Sequence, residues 1–239
     1  MSNKTTALFI ILASIFCLTT FVEPYPFSWL VKILPMLVLI FIVSLQVIVK
    51  SSIPFVANNQ TADNSGKSFN YLLIALLFST CGDILLALGH EHFFIFGLGA
   101  FLIGHLFFIF SFKPLVKQNW LIIPLYLIPG LALFSLMAGN LNELFIPVLV
   151  YMLVLLSMAI ATVLSAKINK WLVLGGISFV ISDSLIGLNK FYVEIHYSHL
   201  WIMVTYYFAQ FCLVNGLIAA STRAANYELK LQPRVSSCE

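Results

Sequence analysis

The sequence predicts an all-α fold: a polytopic membrane helix bundle with about eight transmembrane helices. Three observations carry this. Hydrophobic residues make up 61% of the chain and charged residues only 9%, against about a quarter charged in ordinary soluble domains. A water-soluble globule of 239 residues has too little interior to hide that much apolar surface, so lipid is the solvent for most of the chain. Apolar windows of about 20 residues, the length that crosses a bilayer, recur along the whole sequence. Basic residues concentrate on every second connection, as expected of a chain that crosses back and forth.

Taken in order, the first window is 7–22. It follows Lys4 like a signal peptide, but the chain continues Glu23-Pro24-Tyr25-Pro26 with no small-x-small cleavage site, so it reads as an uncleaved helix. The second window, 30–49, carries Lys32 and Pro35. Lys50 to Ser68 is the longest connection, polar and read as flexible. The remaining windows are 69–88, 93–112, 120–138 (with Pro124, Pro129 and Gly130), 143–165, 171–188 and 200–221, separated by Pro-, Asn-, Lys- or Gly-containing turns. Residues 1–222 thus read as a single transmembrane domain and 223–239 as a cytosolic tail.

Charge tests the count. With eight spans, Lys4, Lys50, Lys67, Lys113, Lys117, Lys167, Lys170, Arg223, Lys230 and Arg234 share one side, while Lys32 and Lys190 lie towards the other beside Glu23, Glu91, Glu143 and Glu194. That asymmetry makes the basic side, with both termini, cytosolic. The sequons at Asn3 and Asn59 fall on it and should be unused. A net charge of +3, scattered along the chain, excludes nucleic-acid binding. Cys17, Cys81, Cys212 and Cys238 have neither metal nor disulfide spacing.

Two acids interrupt the apolar windows: Asp83 in the third and Asp183 in the seventh. A carboxylate in hydrocarbon costs about 2.5–3.5 kcal/mol on the most lenient scale, so each marks a functional site or a helix–helix lock. Gly82-Asp83-Ile84-Leu85-Leu86 and Ser182-Asp183-Ser184-Leu185-Ile186 match in pattern, and Leu88 and Leu188 keep the register. The likeness points to a duplicated four-helix unit, 4+4. Both acids are expected about 9 Å below the non-cytosolic face. Lys32, Asn189, Lys190, Tyr206, Tyr207 and Gln210 are expected in the same layer. Snorkelling to the interface is the bland account of the two lysines, and an aromatic belt that of the tyrosines. His90, His92, His196 and His199 read as solvated loop residues, and His105, about 18 Å from that face, as a packing residue.

A carboxyl in an apolar pocket can hold a proton near neutral pH, while a second, better hydrated one stays ionised. That pairing suits cleavage through an oxocarbenium-like state, aspartic proteolysis, or proton relay in a transporter. No Gly-x-Ser-x-Gly elbow and no His-Glu-x-x-His motif is present.

The chain resembles the YhhN family, whose animal members include the lysoplasmalogenases. The resemblance rests on Lys32-x-x-Pro35, Gly82-Asp83, Gly97, Gly104-His105-Leu106, Ser182-Asp183-Ser184-Leu185-x-x-Leu188-Asn189-Lys190-Phe191 and Thr205-Tyr206-Tyr207-x-Ala209-Gln210. It implies a hydrolase that cleaves the vinyl ether bond of a lysophospholipid substrate, a lysoplasmalogen, to a fatty aldehyde and glycerophosphoethanolamine or glycerophosphocholine. Protonation of the vinyl ether β-carbon needs an acid, a nearby anion and one water, with no metal and no cofactor. Asp83 and Asp183 are the expected catalytic pair, with the roles unassigned between them. Lys32, Asn189, Lys190, Tyr206, Tyr207 and Gln210 are the expected substrate-binding residues, with Lys32 and Lys190 at the head-group phosphate and Tyr206, Tyr207 and Gln210 as hydrogen-bond partners of the acids. The membrane is then the endoplasmic reticulum in a eukaryote, or the inner membrane in a bacterium. A proton-coupled transporter, an intramembrane aspartyl protease and a non-catalytic lipid-binding protein are the competing readings. Broken helices would favour the first of these.

Overall fold

The protein's structure, a computed structural model, describes residues 3–22, 25, 27–52, 60–89, 91–116 and 121–231. Within these residues the chain forms eight α-helices: α1 (Asn3–Thr19), α2 (Ser28–Ser52), α3 (Gln60–Ala87), α4 (Glu91–Phe112), α5 (Ile122–Ala138), α6 (Phe145–Leu164), α7 (Lys170–Phe191) and α8 (Ser198–Leu231). A short 3₁₀ turn, Asn142–Leu144, precedes α6. Six helices are long and apolar enough to cross a membrane; α1 and α5 are shorter, at 17 residues each. The protein is a multi-pass helical membrane protein, and its large exposed apolar residues are where lipid would lie.

Two helices outrun their apolar windows. α3 begins at Gln60, inside the polar connection expected to be flexible, and α8 continues to Leu231. The added residues, Gln60-Thr61-Ala62-Asp63-Asn64-Ser65 and Thr222 to Leu231, are polar or mixed. Hydropathy locates the lipid-facing part of a helix and says nothing of where the backbone stops coiling. Glu23, Asn59, His90, Lys117, Arg234 and Cys238 lie outside the described residues, as does the tail beyond 231.

Helix order in space follows from the contacts. α2, α3, α4, α6, α7 and α8 pack in succession, and α8 returns against α2 and α3. α1 rests on α2 and α8, and α5 on α6 and α7. The order within α1–α4 is repeated in α5–α8, and Asp83 and Asp183 occupy the third helix of each set.

The closest pairs, α3 with α4 and α7 with α8, are held by small residues. A Cβ on Gly175 would lie 2.7 Å from Leu213, and one on Gly216 would lie 2.7 Å from Leu172. Each glycine receives a leucine of the opposite helix. The same close approach sets Phe101 against Gly82, where a Cβ would meet the ring at 2.6 Å.

The end opposite the acids is tied shut. Val116 N–H donates to Leu164 O at 2.7 Å, and Ala166 N–H to Pro114 O at 2.9 Å. Asn169 caps α7 by accepting from Trp171 and Leu172 N–H, and it donates to Gly216 O at 2.9 Å. Lys167 donates to Ser111 O at 3.0 Å and also to the Ser68 hydroxyl. Burial pushes its ammonium down from 10.5 to about 8. Between those two values the unfolded chain binds more protons than the folded one, so stability from this group rises with pH through that window. Lys167→Met is expected to flatten the rise, read as detergent-phase melting temperatures across that pH range. An unchanged slope would refute the assignment.

Candidate active site

Asp83, on α3, is 2% exposed and held from two sides. The Tyr206 hydroxyl on α8 donates to its Oδ2 at 2.7 Å, and Lys32 Nζ on α2 lies 3.4 Å from its Oδ1. The same ammonium is 3.4 Å from the Asp83 carbonyl oxygen. The carboxyl thus has a cation beside one oxygen and a hydroxyl donor on the other. Sequence order brings these three together because α2 and α8 start, and α3 ends, at the same end of the bundle.

Asp183, on α7, has a different setting. Its side chain is 5% exposed. Its Oδ2 accepts a short hydrogen bond from the Tyr151 hydroxyl on α6. His105 Nε2, on α4, faces the same oxygen at 3.8 Å. No lysine or arginine lies beside it among the described residues. The tautomer of His105 is fixed by its other nitrogen: Nδ1 is 2.6 Å from Phe101 O, and a carbonyl can only accept. Nδ1 therefore carries hydrogen. In a neutral ring Nε2 is a bare acceptor, and it faces the carboxyl oxygen at 3.8 Å without a hydrogen bond among the described residues. Phe179 and Tyr151 meet the imidazole edge-on, at centroid distances of 4.7 and 5.5 Å, and fix its plane.

The two sites share one logic. Each acid is met by a group from the helix before it (Lys32 on α2, Tyr151 on α6) and by one from the fourth helix of the other set (Tyr206 on α8, His105 on α4). Asp83 lies within electrostatic reach of Asp183. Phe101 and Phe179 both meet Tyr206 edge-on, at centroid distances of 5.9 and 5.6 Å.

Two cavities adjoin these groups. An apolar one of about 70 Å³ has Asp183 and Tyr151 in a wall otherwise built of residues such as Leu98, Met152 and Val180. It has room for a few waters. The second, about 720 Å³, is the more polar of the two and is bordered by Lys32, Asn189 and Lys190. Leu86, Phe94 and Ile186 border both. An amphipathic molecule with its polar end in the larger space and the first carbons of its chain in the smaller would cross that boundary beside Asp183.

A family comparison decides the lineage: the profile of the YhhN family matches residues 27–217, the stretch that contains every group named above. The chain belongs to the YhhN family. It is 34% identical over 135 residues to a lysoplasmalogenase of Mycobacterium bovis, covering 53% of this chain and 52% of that protein. It is 28% identical over 171 residues to human lysoplasmalogenase TMEM86A, covering 66% of this chain and 69% of that one. Human lysoplasmalogenase TMEM86B is 31% identical over 148 residues, covering 61% and 62%. The chain thus spans about half the length of the mycobacterial relative it matches. No solved structure matches it.

The remaining expected site residues of this YhhN protein fall in distinct places. Asn189 Oδ1 accepts from Ile195 N–H at 2.9 Å and pins the connection after α7. Lys190 Nζ lies over the Phe94 ring, 4.4 Å from its centroid. Tyr207 does not reach an acid. One residue along a helix is about 100° around it, so Tyr207 faces α1 and α2 and donates to Lys32 O at 2.6 Å. Gln210 is fully buried, near enough to act on the Tyr206 hydroxyl, yet its amide has no hydrogen-bond partner among the described residues. His196 and His199 border the polar cavity, while His90 and the His92 side chain lie outside the described residues. Among the described residues no cluster of ligands could hold a metal ion.

His105 and Tyr151 are the residues that sequence reasoning missed. The available signal was that His105 is a titratable group deep in an apolar window, as the acids are. It was set aside on depth, counted from helix ends assumed level. The side chains of α4 and α7 nevertheless reach towards each other, and the imidazole Nε2 lies 3.8 Å from the carboxyl.

Proposed function

We propose that the protein is a lysoplasmalogenase-type ether hydrolase, with Asp183 as the general acid. The observation that supports this most directly is a carboxyl without a cationic partner among the described residues, set in the wall of an apolar cavity that adjoins a lysine-bearing polar one. The names of the relatives agree with it.

In this reading the head group occupies the larger cavity and the vinyl ether end of the alkenyl chain reaches into the apolar one, which takes only its first few carbons. Asp183 gives its proton to the β-carbon of the vinyl ether, and the π electrons form the new C–H bond. The carbon next to oxygen becomes an oxocarbenium ion, stabilised by the carboxylate just formed and by the field of Asp83. Water adds to that carbon and its proton returns to Asp183. The hemiacetal then breaks its C–O bond, and its hydroxyl proton passes to the departing glycerol oxygen. Asp83 borders neither cavity; its role is the field and the placement of Lys32. The basic side of the bundle, with both termini, faces the cytosol, and the site opens towards the opposite leaflet.

Purified protein given a lysoplasmalogen should release aldehyde, and no fatty acid from the acyl-ester analogue. Absence of aldehyde from folded protein would refute the proposal. In this reading His105 Nε2, which faces the Asp183 carboxyl at 3.8 Å, orients the proton that Asp183 gives. His105→Gln is therefore expected to lower turnover about 10- to 100-fold with little change in KM, and to alter the pH profile of kcat. Tyr151, Asp83, Tyr206 and Lys32 are the other ionisable groups around the two acids, and all are retained. A profile of unchanged shape would reduce His105 to packing.

A further inference from the structure

α2 joins the bundle in two parts. From Pro35 onward it is anchored: Met36, Leu39 and Val43 are fully buried. Ahead of Pro35, no residue from Ser28 to Leu34 is buried. The backbone is weakened at both ends of that stretch. Pro35 has no N–H to donate to the carbonyl four residues back, that of Val31. Phe27, just before α2, stands in the left-handed region at φ 62°, where a bulky side chain is disfavoured. Packing alone therefore fixes this turn poorly, yet the turn carries Lys32, whose ammonium lies 3.4 Å from Asp83 Oδ1. Consecutive tyrosines of α8 hold the two halves of that pair. Tyr206 donates to Asp83 Oδ2 at 2.7 Å, and Tyr207 donates to the Lys32 carbonyl at 2.6 Å. The Tyr207 ring is itself gripped by α1, where Phe9 and Phe16 meet it edge-on at 6.3 and 6.1 Å.

From this arrangement we infer that Tyr207 is a positioning residue for the Lys32–Asp83 pair. Its hydroxyl ties the first turns of α2 to α8 and so keeps the ammonium on the carboxyl. Without that tie the segment swings about Pro35, and Lys32 extends into the cavity it borders. Tyr207 thus acts through the backbone of another residue and touches neither acid. The inference rests on the packing of α1, α2, α3 and α8 and is independent of the reaction assigned to the site.

The test is acetylation of the full chain in detergent by a water-soluble N-hydroxysuccinimide ester, below the melting temperature of every variant. Peptide mass spectrometry reads the rate at each lysine, and Lys190, which borders the same cavity, is the reference. Tyr207→Phe removes one oxygen and keeps the ring between Phe9 and Phe16, so the fold is retained. It should raise the rate at Lys32 about fivefold, the equivalent of one lost hydrogen bond, and leave Lys190 unchanged. Asp83→Asn should raise the Lys32 rate as well, because it frees the ammonium directly. On top of Asp83→Asn, Tyr207→Phe should add little, since the two changes act on one interaction. A general loosening of the bundle would instead multiply the rate by the same factor in both backgrounds. No rise at Lys32, an equal rise at Lys190, or the same factor with and without Asp83 would overturn the inference. The readout needs no turnover. Its failure would leave the hydrolase proposal standing, and absence of aldehyde release would leave Tyr207 in its role.

Discussion

Asp183→Asn is expected to reduce aldehyde release about 10³-fold, with folding intact. General-acid groups contribute roughly 10²–10⁴, and here no second acid stands in the apolar cavity. Among the residues bordering it, Tyr151 is the only other one with an ionisable side chain, and its hydrogen is already given to Asp183. The substitution is a clean one. The amide oxygen can take the place of Oδ2 and accept from Tyr151. His105 Nε2 faces that same oxygen at 3.8 Å and has no hydrogen-bond partner among the described residues, so no hydrogen bond to it is broken and the transferable proton is removed. The loss should therefore appear in kcat, with KM and melting temperature near wild type. A variant that keeps more than about a tenth of wild-type turnover would move the acid elsewhere.

Much of this arrangement was legible beforehand, for a specific reason. Asp83 and Asp183 are conspicuous in sequence because charge in an apolar window is costly. Lys32, Tyr206 and the mouth residues Asn189 and Lys190 followed from counting turns back from one end of the bundle. That reasoning holds for groups near a common end, where errors in depth stay small. It failed for His105, which lies deep in α4. It failed for Tyr207 because adjacent helix positions face different neighbours. Tyr151 gave no signal at all: a tyrosine in an apolar helix is indistinguishable from core until the helix opposite is known. What the sequence lacks is the pairing of α4 and α6 with α7, which only tertiary packing supplies.

The second large effect concerns stability. Asp83→Asn leaves the Lys32 ammonium, whose side chain is 12% exposed, without its counter-charge. Breaking a buried pair from one side costs about 3–5 kcal/mol, because the surviving charge stays desolvated. Lys32 borders the polar cavity and can turn partly towards water there, which places the cost near the lower end, about 3 kcal/mol. Replacing both partners removes the stranded charge. The double variant Lys32→Met, Asp83→Asn should therefore be more stable than Asp83→Asn alone, with Tyr206 donating to the amide oxygen in either. Denaturation of the four proteins of the cycle in detergent measures this directly. If the double variant were no more stable than Asp83→Asn, the ion pair would not be what holds α2 to α3. If the double variant is well folded, it serves a second purpose. It carries Asp183, Tyr151 and His105 unchanged but lacks the fixed anion of the other half. Its kcat at saturating substrate, where weaker head-group binding from the loss of Lys32 does not count, then separates the field of Asp83 from its structural role. A field effect predicts a kcat well below wild type despite restored stability, whereas a purely structural Asp83 predicts that kcat returns with the fold.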